Sequence, residues 1–322
     1  MTSAKFRVLN AEPSRFSCLA SEKLREISIV DEIECDRNYL LDHIYDYDCI
    51  FICIRNVIDK QILDKAKQLK CIVTPTTGLN HIDVEYAKKC GVQVLSLKDE
   101  SNFLRQITAT AELTWALLLN LVRNIVSANR SVMNKEWMRN NFYGTELRGL
   151  TLGVVGLGRL GTMVANYGKV FGMKILAHDL EPTSEAEVKY VSFDQLLSQS
   201  DVISVHLSLN SSTRAFFNES AFNKMKNGAI FINTSRGEII DESALVKALK
   251  SGRLGAAAID VMSGEVSQSS KWLERSQLFR YAQENSNLLI TPHIGGVTYQ
   301  SVEKTNLYMI EKLSEFIKAR LE

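Results

Sequence analysis

Short apolar runs bracketed by glycine, proline, asparagine or aspartate recur along the chain. Between them lie longer stretches with an apolar residue at every third or fourth position. The short runs predict buried strands and the longer period predicts helices packed on them. In the first hundred residues the strands are expected at 6–10, 29–33, 47–54, 71–75 and 92–97, with helices over 59–69 and 84–89. The alternation resumes at 151. Strands are expected at 151–156, 174–178, 189–193, 201–208, 229–235, 255–261 and 288–293. One intervening helix, 218–227, ends at Gly228, and another opens at Asp241 as its N-cap and ends at Gly252. Alternating strands and helices predict parallel sheets covered on both faces, an α/β fold. A chain of 322 residues suits two such doubly wound domains.

Two helices stand outside this alternation. Residues 104–126 carry Leu104, Ile107, Ala111, Trp115, Leu118, Val122 and Ile125 on one face and Leu113, Leu117 and Leu121 elsewhere. A helix so apolar all round is expected to be buried, between domains or between subunits, and a subunit interface is the preferred reading. Residues 99–102 before it read as a hinge. The tail, 298–321, is amphipathic through Val302, Ile310, Leu313 and Ile317, and is expected to return to the first domain. Residues 266–286 read as a polar, partly helical surface excursion.

The densest chemical signal is the segment 151–179. A strand runs into Gly156, Gly158 and Gly161, spaced G-x-G-x-x-G, then a helix, then a strand closed by Asp179. The first glycine permits a tight turn, the second admits a pyrophosphate to the backbone, and the third lets the helix pack on the strand. The helix N-terminus then offers free N–H groups to phosphate. A carboxylate at 179 suits ribose hydroxyls and repels a 2′-phosphate, which favours NAD over NADP.

Three polar residues fall at or just past strand ends in the same domain: Arg236, Glu265 and His293. Strand C-termini of such a sheet converge on one crevice. An arginine there can clamp a carboxylate by two parallel hydrogen bonds. A histidine can exchange a proton with a hydroxyl, and a neighbouring glutamate would fix its tautomer. Together they describe interconversion of a 2-hydroxy acid and a 2-oxo acid by a nicotinamide. Another turn, 75–83, follows the strand 71–75; spacing alone leaves it either an ordinary loop or a ligand loop.

Composition narrows the setting. Apolar residues make up 45% and the net charge is +1, which gives no long-range attraction to nucleic acid or anionic membrane. The N-terminal MTSAKFRVLN lacks a signal core and no apolar run is long enough to span a bilayer, so a cytoplasmic protein is expected. The six cysteines form no C-x-x-C pair and the five histidines are scattered, so no metal site is expected and the thiols read as small hydrophobes.

The pieces PTTGLNHIDV, TAELTWALLLNLVRN, GVVGLGRLG with Asp179, DVISVHLSLNSSTR, FINTSRGEIIDESALVKAL, AAAIDVMSGE and LLITPHIGG resemble the D-isomer-specific 2-hydroxyacid dehydrogenase family over nearly the whole chain. AELT resembles the phosphoglycerate dehydrogenase branch, here without its C-terminal regulatory domain. The resemblance implies a flavodoxin-like substrate domain from 1–100 and 297–322, with a Rossmann NAD domain, 101–296, inserted. It implies that Arg236 binds the substrate, that His293 donates the proton in reduction, and that Glu265 is its partner. It implies that Thr77, Arg159, Leu160, Leu207, Thr234, Ser235, Asp260, Gly295 and Gly296 line NAD. Thr76, Thr77, Gly78 and Leu79 would offer N–H groups to the substrate carboxylate, and Arg55 or Arg105 would meet a substrate phosphate. It also implies a homodimer through the 104–126 helix. Ser208 and Val266 stand where the family usually has proline, which is expected to alter loop stiffness only; 266–286 is longer than usual and would reshape the rim of the cleft, which leaves the acid open between 3-phosphoglycerate and a related small hydroxy acid. An NAD-sensing corepressor-like interaction protein of the same fold is the alternative, since that branch keeps a similar Arg, Glu and His.

Overall fold

The computed structural model describes residues 6–182, 188–265 and 271–321. The chain divides into two compact units, Met1–Ile107 with Val297–Glu322, and Thr108–Gly296.

The first unit is built on five parallel strands: β1 (Arg7–Asn10), β2 (Ile29–Glu32), β3 (Cys49–Phe51), β4 (Cys71–Thr74) and β5 (Gln93–Ser96). Their order is β2-β1-β3-β4-β5, the flavodoxin-like arrangement. Successive residues alternate between two cores, as a strand's period of two requires. Leu9, Ile50 and Ile72 join Ile62 and Leu40 on one face. Val8, Cys49, Phe51 and Val73 join Leu24 on the other, together with Met309, Ile310, Leu313 and Ile317 of the C-terminal helix Tyr299–Leu321. Asp36, Asp59 and Asp83 cap the helices that follow them, each accepting a backbone N–H of the first turn; such caps are worth about 1 kcal/mol.

The segment expected to be a hinge is instead strapped to this unit. Ser101–Leu104 is a short helix, and the Phe103 ring stacks on Tyr308 at 4.0 Å. The Tyr308 hydroxyl donates to Glu100 at 2.6 Å, and Lys312 pairs with the same carboxylate. The units therefore divide after Ile107, not near 100. The single helix expected over 104–126 is broken for the same reason. Leu104 and Ile107 belong to the first unit's core, and a new helix runs from Ala109 to Val122. Asn124, left-handed at φ 54°, ends that helix before Ile125–Met133. Continuous apolar periodicity does not reveal that its residues serve two cores.

The second unit holds seven parallel strands: β6 (Thr151–Val155), β7 (Lys174–His178), β8 (Lys189–Tyr190), β9 (Val202–Val205), β10 (Ala229–Asn233), β11 (Leu254–Ile259) and β12 (Leu288–Ile290). The order β12-β11-β10-β9-β6-β7-β8 places the topological switch point between β6 and β9. Ala111, Trp115, Leu118 and Val122 pack with Leu152 and Val154 on one face, so the Ala109–Val122 helix is largely consumed by its own chain. Val155, Ile203 and Phe231 form the other core. The expected surface excursion contributes to that core: Leu278 and Tyr281 of the helix Gln277–Glu284 are buried in it. Residues 266–270 lie outside the described residues. Several strands stop short of expectation, so that Thr234, Ser235 and His293 stand in loops beyond the sheet edge. Among the described residues no helix is long and apolar enough to cross a membrane.

Candidate active site

The site is assembled where the second sheet's strands end. At the end of β6, Gly156 adopts φ +88°, and a Cβ there would lie 2.7 Å from the His206 carbonyl oxygen. A Cβ on Gly161 would lie 2.0 Å from the Gly156 carbonyl oxygen. Both are demanded by the protein's own packing. Gly158 differs: a Cβ there would meet nothing within 4 Å. It caps the helix Arg159–Val170, so the middle glycine leaves open space before a helix N-terminus, whose N–H groups suit an anion. The Asp179 carboxylate accepts from Leu157 N at 2.6 Å and from Glu181 N at 3.0 Å. It thereby ties the glycine turn to the end of β7, and each oxygen keeps lone-pair capacity for a hydroxyl.

Across the switch point, the Ser204 hydroxyl and His206 Nε2 lie 2.8 Å apart. Burial lowers the His206 pKa to about 4, so the ring is neutral near pH 7. The Leu207 side chain also reaches the Gly156 turn.

The loop after β10 carries Arg236 and is folded by Asn233, a buried side chain. Its Oδ1 accepts from Ser235 N and its Nδ2 donates to Arg236 O, both at 2.9 Å. The Ser235 hydroxyl donates to Val205 O at 2.6 Å, and the Thr234 and Thr114 hydroxyls meet at 3.0 Å. Arg236 Nη1 donates to Ser235 O. Burial lowers the guanidinium pKa, while Glu265 and Glu238 oppose that effect. A partly buried guanidinium that, among the described residues, gives one side-chain N–H to Ser235 O is suited to a carboxylate.

The loops after β11 and β12 are joined by Asp260. Its Oδ1 accepts from the Thr291 hydroxyl at 2.6 Å and from Ile294 N at 2.8 Å, and its Oδ2 accepts from Gly295 N at 2.8 Å. Burial raises the Asp260 pKa, and these donors pull it back. His293 between them stands at φ 52°, a strained conformation for a residue with a side chain. Its Nδ1 lies 2.5 Å from Glu265 Oε1, and Glu265 Oε2 accepts from Met262 N at 3.1 Å. With the carboxylate ionised, Nδ1–H is the donor and Nε2 is left for chemistry.

The structure thus brings Glu265 and His293 into contact and sets Arg236 within electrostatic reach of Glu265. Asp260, expected to line a cofactor, spends its carboxylate on the 293–295 turn. In the first unit, Thr76 follows β4, and its hydroxyl donates to Gly78 O at 2.9 Å. Among the described residues, Thr77, Gly78 and Leu79 donate no backbone hydrogen bond. Arg55 pairs with Glu34 at 2.7 Å. Sequence reasoning missed Asn233, whose only signal was a polar residue ending an apolar strand. It also missed Glu242, whose Oε1 accepts from Ser263 N at 2.7 Å, 21 residues along the chain. Among the described residues no cluster of His, Cys, Asp or Glu could hold a metal ion.

A family model described as D-isomer specific 2-hydroxyacid dehydrogenase, NAD binding domain, matches residues 115–295. A glyoxylate reductase of Thermococcus litoralis is 35% identical over 313 residues, covering 93% of this chain and 90% of that protein. A D-3-phosphoglycerate dehydrogenase of Archaeoglobus fulgidus is 33% identical over 97% of this chain, which spans 57% of that protein. The crystal structure of a D-lactate dehydrogenase from Aquifex aeolicus, complexed with NAD and lactic acid, superposes with a TM-score of 0.85 at 29% identity. That match covers 98% of this chain and 96% of the other.

The neutral His206 sets an acid-stability window. The unfolded ring takes a proton near pH 6.5, whereas the folded one resists until about 4. Stability is therefore full above about pH 6.5 and declines as the pH falls towards 4. Urea unfolding across that range should show His206→Gln escaping a loss on the order of 2 kcal/mol suffered by the unmodified protein; parallel curves would show that His206 does not titrate this way.

Proposed function

The chain belongs to the D-isomer-specific 2-hydroxyacid dehydrogenases, NAD-dependent oxidoreductases, and from that premise we propose that it interconverts a short D-2-hydroxy acid and its 2-oxo acid in the cytoplasm. The observation that carries this reading is the 2.5 Å contact of His293 Nδ1 with Glu265 Oε1 at the sheet edge that also bears Arg236. In this reading Arg236 pairs with the substrate carboxylate and orients its carbonyl. His293 gives a proton to the carbonyl oxygen in reduction and takes it back in oxidation, through Nε2, and Glu265 holds the ring in the competent tautomer. The 76–79 turn offers N–H donors suited to a carboxylate. A short, unphosphorylated acid is favoured because Arg55 already has Glu34 as its counter-ion.

The glycine turn fits the cofactor, since the space before Gly158 is open and faces N–H groups. Gly156, Gly158, Arg159, Leu160 and Gly161 would hold its pyrophosphate, and Asp179 its ribose. Leu207, Thr234, Ser235, Asp260, Gly295 and Gly296 would line the remainder. Bound NAD accepts the hydride in oxidation and, as NADH, supplies it in reduction.

We also propose a homodimer, through the end of the expected 104–126 segment and the residues that follow it. The helix Ala109–Val122 is mostly buried in its own unit, but the segment after it exposes Ile125, Met133, Trp137, Met138 and Tyr143, with Trp137 84% exposed. So much apolar surface in one segment marks an association site.

Four measurements test these readings. In an NADH-oxidation screen over glyoxylate, hydroxypyruvate, pyruvate and 3-phosphohydroxypyruvate, a short unphosphorylated acid should turn over best. His293→Asn should cut that turnover by roughly 10²–10⁴ and spare NADH binding; undiminished turnover would remove the imidazole from the reaction. Gly158→Ala should weaken NADH binding while costing less than about 1 kcal/mol of stability, whereas Gly161→Ala should cost roughly 1–3 kcal/mol. Equal stability losses would contradict the separate roles of the two glycines. Trp137→Glu should convert a dimer to a monomer in sedimentation equilibrium, and a monomeric unmodified protein would refute the dimer.

A further inference from the structure

Two loops of the second unit are locked together behind the acid–base pair. The loop after β10 presses Gly237 against the backbone after β11: a Cβ on Gly237 would lie 2.1 Å from Met262 C and 2.3 Å from Ser263 N. Met262 to Glu265 then form a tight turn, with Glu265 N donating to Met262 O at 3.3 Å and Gly264 at φ +79°. Inside the turn, Met262 N is taken by the Glu265 carboxylate. The next donor, Ser263 N, is met from outside the turn, by Glu242 Oε1 at 2.7 Å.

Glu242 opens the helix Glu242–Lys250, but that helix is capped by its neighbour: Asp241 accepts from Ser243 N and Ala244 N. The Glu242 carboxylate is thus not needed for its own helix end. It is also held at an electrostatic cost. Burial raises its pKa most, the Ser263 backbone N–H and then the Ser263 side chain oppose that, and the charges of Glu238 and Glu265 add smaller upward pushes. A carboxylate kept in such surroundings and bonded to Ser263 points to the Ser263 turn as its purpose.

We propose that Glu242 is a positioning residue for the Glu265–His293 pair, gripping the turn that carries Glu265 through the Ser263 N–H. The proposal rests on the functional reading above, because it assigns a role within the same proton-transfer pair. Without the acceptor at Glu242, Ser263 N–H loses its partner, and the turn keeps only its own Met262–Glu265 hydrogen bonds and the Gly237 packing. Glu265 Oε1 then drifts from His293 Nδ1, and the imidazole loses its fixed tautomer.

The test compares two conservative variants with opposite defects. Glu242→Gln keeps an oxygen acceptor at the same reach and loses the charge. Glu242→Asp keeps the charge and withdraws the acceptor by one methylene. A role in helix electrostatics would spare Asp; the positioning role spares Gln. In 15N-histidine spectra of the cofactor-free protein, the proton shared by His293 Nδ1 and Glu265 should resonate far downfield, persist in Glu242→Gln and vanish in Glu242→Asp. Turnover should fall about tenfold in Glu242→Asp, with NADH binding unchanged, and stay within about threefold in Glu242→Gln. In a Glu265→Gln background, Glu242→Asp should add no more than about a twofold loss, because residues acting through one another are not additive. A downfield proton that survives Glu242→Asp, or losses that multiply independently, would overturn the proposal. If the NMR pattern holds while no 2-oxo acid is reduced, the positioning role stands and the functional reading fails.

Discussion

The buried Asp260 carboxylate is the constraint on which the candidate site depends. It follows β11, yet all its bonding goes to the loop after β12, through Thr291, Ile294 and Gly295. Those bonds fix both flanks of His293 and hold its backbone in the left-handed region, where a side chain costs about 1–2 kcal/mol. That strain sets the direction from which the imidazole meets Glu265. Asn233 acts in the same way at the neighbouring strand, folding the Arg236 loop with both ends of its amide. The pattern is general for this sheet edge: a short polar side chain at a strand end bends the loop that delivers a longer one.

Much of this organisation was legible in the chain. Apolar runs of strand length marked the elements of both sheets. The G-x-G-x-x-G spacing with Asp179 marked the switch point, because glycine is required there by contacts that depend on local sequence: Gly161 meets Gly156, five residues away. Asp241 and Gly252 bracketed their helix, as caps are also local signals. Arg236, Glu265 and His293 could be associated because a parallel sheet gathers all its C-terminal ends at one edge.

What escaped the sequence was decided by distant partners. Phe103 stacks on Tyr308, which lies near the far end of the chain, and that contact turned an expected hinge into a strap. Leu104 and Ile107 continue the periodicity of the following helix but are claimed by another core. The 277–284 helix looked polar because most of its residues are, yet Leu278 and Tyr281 suffice to anchor it. Helical periodicity measures how a segment could pack. It carries no information on which surface it packs against.

The first unit's dependence on the helix Tyr299–Leu321 has a consequence for biosynthesis. Its sheet emerges from the ribosome before the second unit, but Met309, Ile310, Leu313 and Ile317, which help to cover one face, are made after that unit. The whole inserted unit must be translated in between, a delay of about 10–40 s at ordinary elongation rates. Throughout that interval Val8, Phe51 and Val73 have Leu24 beside them but lack the part of their cover that the last helix supplies. A nascent chain of this design displays a sticky half-finished sheet while its inserted unit is made, so the period of greatest chaperone demand falls during synthesis of that unit.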